Sequence, residues 1–224
     1  MSSSKANILN RLRQSTNYTA QPLSSNWRAP QYNHEERFRR FKAALEAAHA
    51  EVIESSEDQW VEQLLSIANS KNLSTWLYNP SSKSGFTFQQ AANNNSPSSI
   101  SLVPYDQPIE QLKDTLFHHI DASLTEVQAG IAETGTLVML PDSAEPRLMS
   151  LVPPVHVALF RESVLLDSFS ELIEGQDWST KGMPTNALLI SGPSKTADIQ
   201  QTLAYGAHGP KELVVLVIRD NGAR

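Results

Sequence analysis

The sequence predicts an α/β fold, on three observations. Apolar runs of strand length recur through the second half, among them Val155-His156-Val157-Ala158-Leu159-Phe160 and Leu213-Val214-Val215-Leu216-Val217-Ile218. Apolar stripes at three- and four-residue spacing stand ahead of and between such runs, as helices require. Seven of the nine glycines fall between Gly130 and Gly209, beside the apolar runs, where they allow tight turns and close approach of a ligand or backbone.

Residues 1–32 read as a polar arm, with a short helix over 7–14 and prolines at Pro22 and Pro30. Residues 33–72 read as a helical hairpin ahead of the sheet. Its first helix, 34–50, carries the stripe Phe38, Phe41, Ala44, Leu45 and Ala48. Its second, 56–69, starts at Ser56-Glu57-Asp58 and carries Trp60, Val61, Leu64, Leu65 and Ile67. Residues 73–224 read as the α/β domain. Thr75-Trp76-Leu77-Tyr78 and Ile100-Ser101-Leu102-Val103 are predicted strands, separated by a polar loop over 91–99. A helix is predicted over 108–120, with Pro108 in its first turn. Strands follow over 123–127, 135–140 and 155–160, then a helix over 163–174 ended by Gly175. The runs at 187–190 and 213–218 complete the expected sheet.

Composition narrows the function. Charged residues make up 19% of the chain and hydrophobic ones 40%, as in a soluble globular protein. The net charge of -6 argues against a phosphate-binding nucleic-acid surface. There is no cysteine, so disulfides, thiolate nucleophiles and Cys-ligated iron–sulfur or zinc sites are excluded within this chain. No apolar stretch approaches the ~20 residues of a membrane helix. Nor does the start resemble a signal peptide, so a cytoplasmic location is expected. Six scattered histidines give no metal-ligand spacing, and no metal is expected.

Three segments can carry chemistry. Gly130-Ile131-Ala132-Glu133-Thr134-Gly135-Thr136 presents Glu133 among small residues, as a base, a nucleophile or a ligand hook, or else as a solvent-facing turn residue. Thr134 and Thr136 are candidate anion contacts, and Glu126 lies seven residues before Glu133. Arg147, ahead of Pro153-Pro154-Val155-His156, can clamp a carboxylate or pair with Asp142 or Glu145. His156, inside an apolar strand, reads first as a hydrogen-bonded core histidine. The third segment is Ser191-Gly192-Pro193-Ser194-Lys195-Thr196-Ala197-Asp198, with His208-Gly209-Pro210 beyond it. Read as strand, loop and short helix, it offers a helix N-terminus and loop N–H groups to an anion. Gly192, Ser194, Lys195 and Thr196 are the expected ligand contacts, and Asp198 and His208 are candidate acid–base groups. No P-loop, dinucleotide fingerprint or Gly-x-Ser-x-Gly motif is present.

Taken together and in this order, the three segments resemble the lactate-utilization protein C family, also called the LUD-domain family, over roughly residues 120–220. The family more often has Arg at Lys195 and Glu at Gln200. The resemblance implies a three-layer α/β/α sandwich similar to the sugar-phosphate isomerase and CoA-transferase folds, here with an N-terminal helical extension. It also implies a part in oxidising L-lactate to pyruvate, as one of three proteins. The other two carry the iron–sulfur clusters, consistent with the lack of cysteine here. On this reading the chain is a non-redox subunit that binds no cofactor and holds a small anionic ligand at its strand-end loops. The alternatives are a free-standing CoA-transferase-like or 5-formyltetrahydrofolate cyclo-ligase-like enzyme, with Glu133 as acyl acceptor, and a scaffold with a vestigial pocket.

Overall fold

The structure is a computed structural model and describes residues 4–15, 28–94, 100–197, 203–206 and 208–220. In chain order its helices are α1 (Ser4–Ser15), α2 (His34–Ala47), α3 (Trp60–Ser70), α4 (Lys83–Asn94), α5 (Ile109–His118), α6 (Leu148–Leu151), α7 (Phe169–Gly175) and α8 (Trp178–Lys181). The strands are β1 (Glu51–Ser55), β2 (Thr75–Tyr78), β3 (Ser101–Pro104), β4 (Ala122–Glu126), β5 (Ala129–Ile131), β6 (Thr136–Met139), β7 (Val155–Arg161), β8 (Leu165–Leu166), β9 (Leu188–Ile190), β10 (Lys195–Ala197), β11 (Leu203–Tyr205) and β12 (Glu212–Ile218).

Six strands form a central sheet in the order β1-β12-β7-β4-β2-β3, and every pairing in it is parallel. Parallel strands covered on both faces read as continuous apolar runs, and β7 and β12 are such runs. Their side chains alternate between two cores. Val155, Val157, Leu159, Val214, Leu216 and Ile218 face α3, where Trp60, Leu64 and Ile67 meet them. Ala158, Phe160, Leu213, Val215 and Val217 face α2, which contributes Phe38, Phe41 and Leu45. The Phe41 and Phe160 rings pack with centroids 4.8 Å apart. This is the expected α/β/α sandwich. Asn33 caps α2, its side chain accepting from the Glu36 N–H at 2.9 Å.

Four expectations are corrected. First, the helices at 34–50 and 56–69 are present as α2 and α3, but they do not form a hairpin outside the sheet. β1 lies between them and pairs along its length with β12. Its glutamates hide it in the sequence. Glu51 pairs with Lys71 at 2.9 Å, and Glu54 with both Lys42 and Arg219 at 2.7 Å, so an edge strand carries the charges of a helix surface. Second, the strands do not make one sheet. β8-β5-β6-β9 form a separate sheet that lies beside α2 and is backed by Leu172 of α7 and Trp178 of α8. Third, the helix expected over 163–174 is a 3₁₀ turn at Glu162–Val164, then β8, then α7, whose start is capped by Ser168. Fourth, Lys195–Ala197 is a strand, paired antiparallel with β11. The helix N-terminus expected to follow Ser194 is therefore replaced by a strand there.

One smaller difference concerns a polar segment. Residues 91–94, read as loop, are the last turn of α4, and residues 95–99 lie outside the described residues. The helix read over 7–14 is present as α1. The end of the arm is docked: the Tyr32 N–H donates to Asp167 Oδ2 at 3.2 Å, and Arg37 pairs with the same carboxylate.

Candidate functional site

The loop after β9 closes over the start of β7 and β12. The Ser194 N–H donates to the Pro210 carbonyl and the Gly206 N–H to the Ser194 carbonyl, each at 2.9 Å, which ties the two predicted loops together. Beneath them is a cavity of about 240 Å³, bordered by Ser191, Gly192, Ser194, His208, Gly209 and His156. Gly192 and Ser194 thus share one site with His208 of the following loop.

The Glu133 segment reaches this site through hydroxyls. Thr134 and Thr136 share a hydrogen bond of 2.7 Å, and Thr136 shares one of 2.8 Å with Ser191. Thr136 is buried, while Thr134 and Glu133 are exposed. The Glu133 N–H donates to the Asp167 carbonyl at 3.1 Å. Two signature glycines serve packing. Gly135 has φ +59°, and a Cβ there would lie 2.5 Å from the Ala44 Cβ; one on Gly192 would lie 2.7 Å from the Ala48 carbonyl oxygen. Both turns therefore rest on the last turns of α2, an arrangement open only to glycine.

Other predicted residues lie elsewhere. Lys195 is exposed on β10 and does not border the cavity. Thr196 belongs to the same strand, and Asp198 lies outside the described residues. Arg147 is exposed just ahead of α6, beside a second, smaller pocket shared with Thr125, Glu145 and Ser150.

That second pocket lies near the carboxyl ends of the parallel strands, where open α/β sheets place ligands. Chain order reverses between β2 and β4: β2 leads outward to β3, and β4 leads the other way to β7. Glu126 ends β4, and its N–H donates to Glu145 Oε2 at 3.1 Å. Burial, with the Glu126 carboxylate adding to it, raises the Glu145 carboxyl to about 7, against hydrogen bonds from the Glu126 N–H and the Asn79 side chain. The carboxyl that faces Glu126 is thus Glu145. In the sequence Glu145 reads only as a pairing option for Arg147, sitting in an Asp/Ser/Pro segment that reads as solvated loop. His156 did give one, as the single polar residue in the run Val155–Phe160. It is a buried, hydrogen-bonded histidine as read, with Nε2 2.7 Å from Thr125 Oγ1. It also borders the main cavity, which the sequence did not indicate.

Among the described residues no helix is long and apolar enough to cross a membrane, and no group of three or more His, Cys, Asp or Glu could hold a metal ion.

The fold is an α/β/α domain whose central sheet is all-parallel, with a cavity under its joined glycine-containing loops that is lined by serine hydroxyls and by Leu151, Leu189, Ile190 and Leu213. The chain belongs to the LUD domain family, whose model matches residues 38–218. It is 42% identical over 183 residues to an uncharacterized protein of Neisseria meningitidis serogroup B, covering 82% of this chain and 77% of that one. It is 26% identical over 179 residues to lactate utilization protein C 1 of Bacillus mycoides, covering 78% and 76%. A crystal structure of a DUF162 family protein from Deinococcus radiodurans superposes with a TM-score of 0.56 at 18% identity, over 84% of this chain and 99% of that one. That likeness carries the fold.

Proposed function

We propose that this chain takes part in lactate utilization as a cytoplasmic, non-redox component of an L-lactate-oxidising system. The iron–sulfur clusters sit on partner proteins, and this chain holds a small organic anion in the cavity under the Ser191–Ser194 and His208–Pro210 loops. Two things support the reading: the match to lactate utilization protein C along most of both chains, and the lack of cysteine to ligate a cluster. The observation that carries the site is the convergence of Ser191, Gly192, Ser194 and His208 on one cavity. Exposed His208 supplies a proton-bearing group there, and the serine hydroxyls supply uncharged donors. Thr134 and Thr136 hold Ser191 in place through their hydroxyl chain.

Lactate-dependent dye reduction by the purified iron–sulfur partners, with and without this chain, tests the reading. The rate is expected to need the chain, and the proteins to co-purify. His208→Ala is expected to lower the rate about a hundredfold or more, the scale of one lost acid–base group. Partners that oxidise lactate unaided and do not bind the chain would refute it.

A further inference from the structure

The main cavity is bordered by two unlike sets of residues. Ser191, Ser194 and His208 bring hydroxyls and an imidazole, whereas Leu151, Leu189, Ile190 and Leu213 are aliphatic. Leu213 belongs to the core under α2 and Ile190 packs against it, so the cavity opens on the margin of that core. Leu189, beside Ile190 on β9, is 52% exposed. Apolar surface left in water around a cavity gains free energy when a ligand covers it.

Size points the same way. At the ~30 Å³ that one water takes up in the liquid, 240 Å³ is room for about eight waters. With each heavy atom and its hydrogens at about that volume, a three-carbon acid such as propionate fills roughly five of the eight places. The remainder adjoins leucine and isoleucine, which suit carbon and cannot hydrogen-bond water.

Charge limits the polar end. Among the described residues no Lys or Arg borders the cavity. His156 borders it, but burial lowers that imidazole to about 4, so it is neutral near pH 7. His208 is then the group able to bring positive charge to the site. One imidazole and a few hydroxyls can meet a single carboxylate. A phosphate or a dicarboxylate would bring charge that nothing here balances.

We propose that this cavity takes a monocarboxylic acid with a branched aliphatic tail, of about six carbons in all, its carboxylate among Ser191, Ser194 and His208 and its tail against Leu151, Leu189 and Ile190. The inference rests on the cavity reading above and deepens it by naming the ligand class. A three-carbon acid leaves the aliphatic wall wet, so the site favours the longer acid over lactate itself.

The test is calorimetric titration of the full chain near pH 7 with propionate, butyrate, isovalerate and isocaproate, beside L-lactate and succinate. Affinity is expected to rise about three- to fourfold with each added carbon, the yield of one buried methylene. L-Lactate is expected to bind like propionate, and succinate more weakly than either. Leu189→Asn, at an exposed position, is expected to flatten the rise with chain length and to leave propionate binding unchanged. Leu189→Ala serves the same purpose if the Asn variant fails to fold, and the wild-type series stands without either. If none of the acids binds, the cavity reading and this inference fall together. If L-lactate, propionate or succinate binds as tightly as isocaproate, or if the chain-length rise survives in the Leu189 variants, this inference alone falls and the cavity reading stands.

Discussion

At the scale of single residues, two titratable groups, buried His156 and half-buried Glu145, pull stability in opposite directions with pH. His156 has a folded value of about 4, below the ordinary 6.5 of an unfolded histidine. Between these values the unfolded chain binds the extra proton. The contribution of His156 is therefore complete above pH 6.5, and it is lost as pH falls from 6.5 to 4. The full span is on the order of 3 kcal/mol. Glu145 has the reverse sign. Its folded value of about 7 exceeds the ordinary 4.5, so the folded chain holds the extra proton, and stability is lost as pH rises from 4.5 to 7. Urea unfolding of wild type and Glu145→Gln at half-unit steps from pH 4 to 8 separates the two. Relative to wild type, the variant is expected to gain stability as pH rises to 7 and to keep the His156-linked loss on acidification. Parallel curves for the two proteins would remove Glu145 from the account.

At the scale of elements, α2 is the support for the site. Its inward residues, Phe38, Phe41 and Leu45, seat it on the sheet. Its last turns carry the β5–β6 turn at Gly135 and the loop at Gly192. Gly135→Ala forces a left-handed φ on a residue with a side chain and drives its Cβ into Ala44. A loss of about 2 kcal/mol or more is expected, read as a lower midpoint in thermal unfolding. A shift of under a degree would show that the turn can relax away from α2. The elements also show which signals are legible in a sequence. The stripe of α2 and the unbroken runs of β7 and β12 have one periodicity each, and they fold as read. β1 was hidden because an edge strand pairs on one side only and carries glutamates bound to Lys42, Lys71 and Arg219. The Lys195–Ala197 strand was hidden because a three-residue strand has no period of its own, and its antiparallel partner β11 decides its state.

At the scale of the whole molecule, the layers are joined through the loop-side core, where α2, the smaller sheet and the central sheet meet. Of the arm's described residues, Tyr32 packs against this core. α1 exposes Ile8 and Leu12, at 59% and 58%, and at the arm's end the Tyr32 N–H is bound to Asp167. If the arm is a docking segment for the iron–sulfur partners, deleting residues 1–27 should leave the thermal midpoint unchanged and weaken co-elution with them. A deletion that unfolds the protein, or that leaves co-elution intact, would assign the arm another role.

What the sequence determined by itself was the α/β class, the family, the central strands and the loops that carry the signature residues. These follow from composition, short-range periodicity and motif order, all local to the chain. The tertiary structure decided which of those residues meet. Gly192, Ser194 and His208 share a cavity, whereas Lys195 and Arg147 stay outside it. It also decided that His156 is both a core residue and a wall of that cavity, and that Glu126 faces Glu145. Such pairings depend on strand register and on which sheet a strand joins. Contacts distant in sequence set both, so no local pattern encodes them.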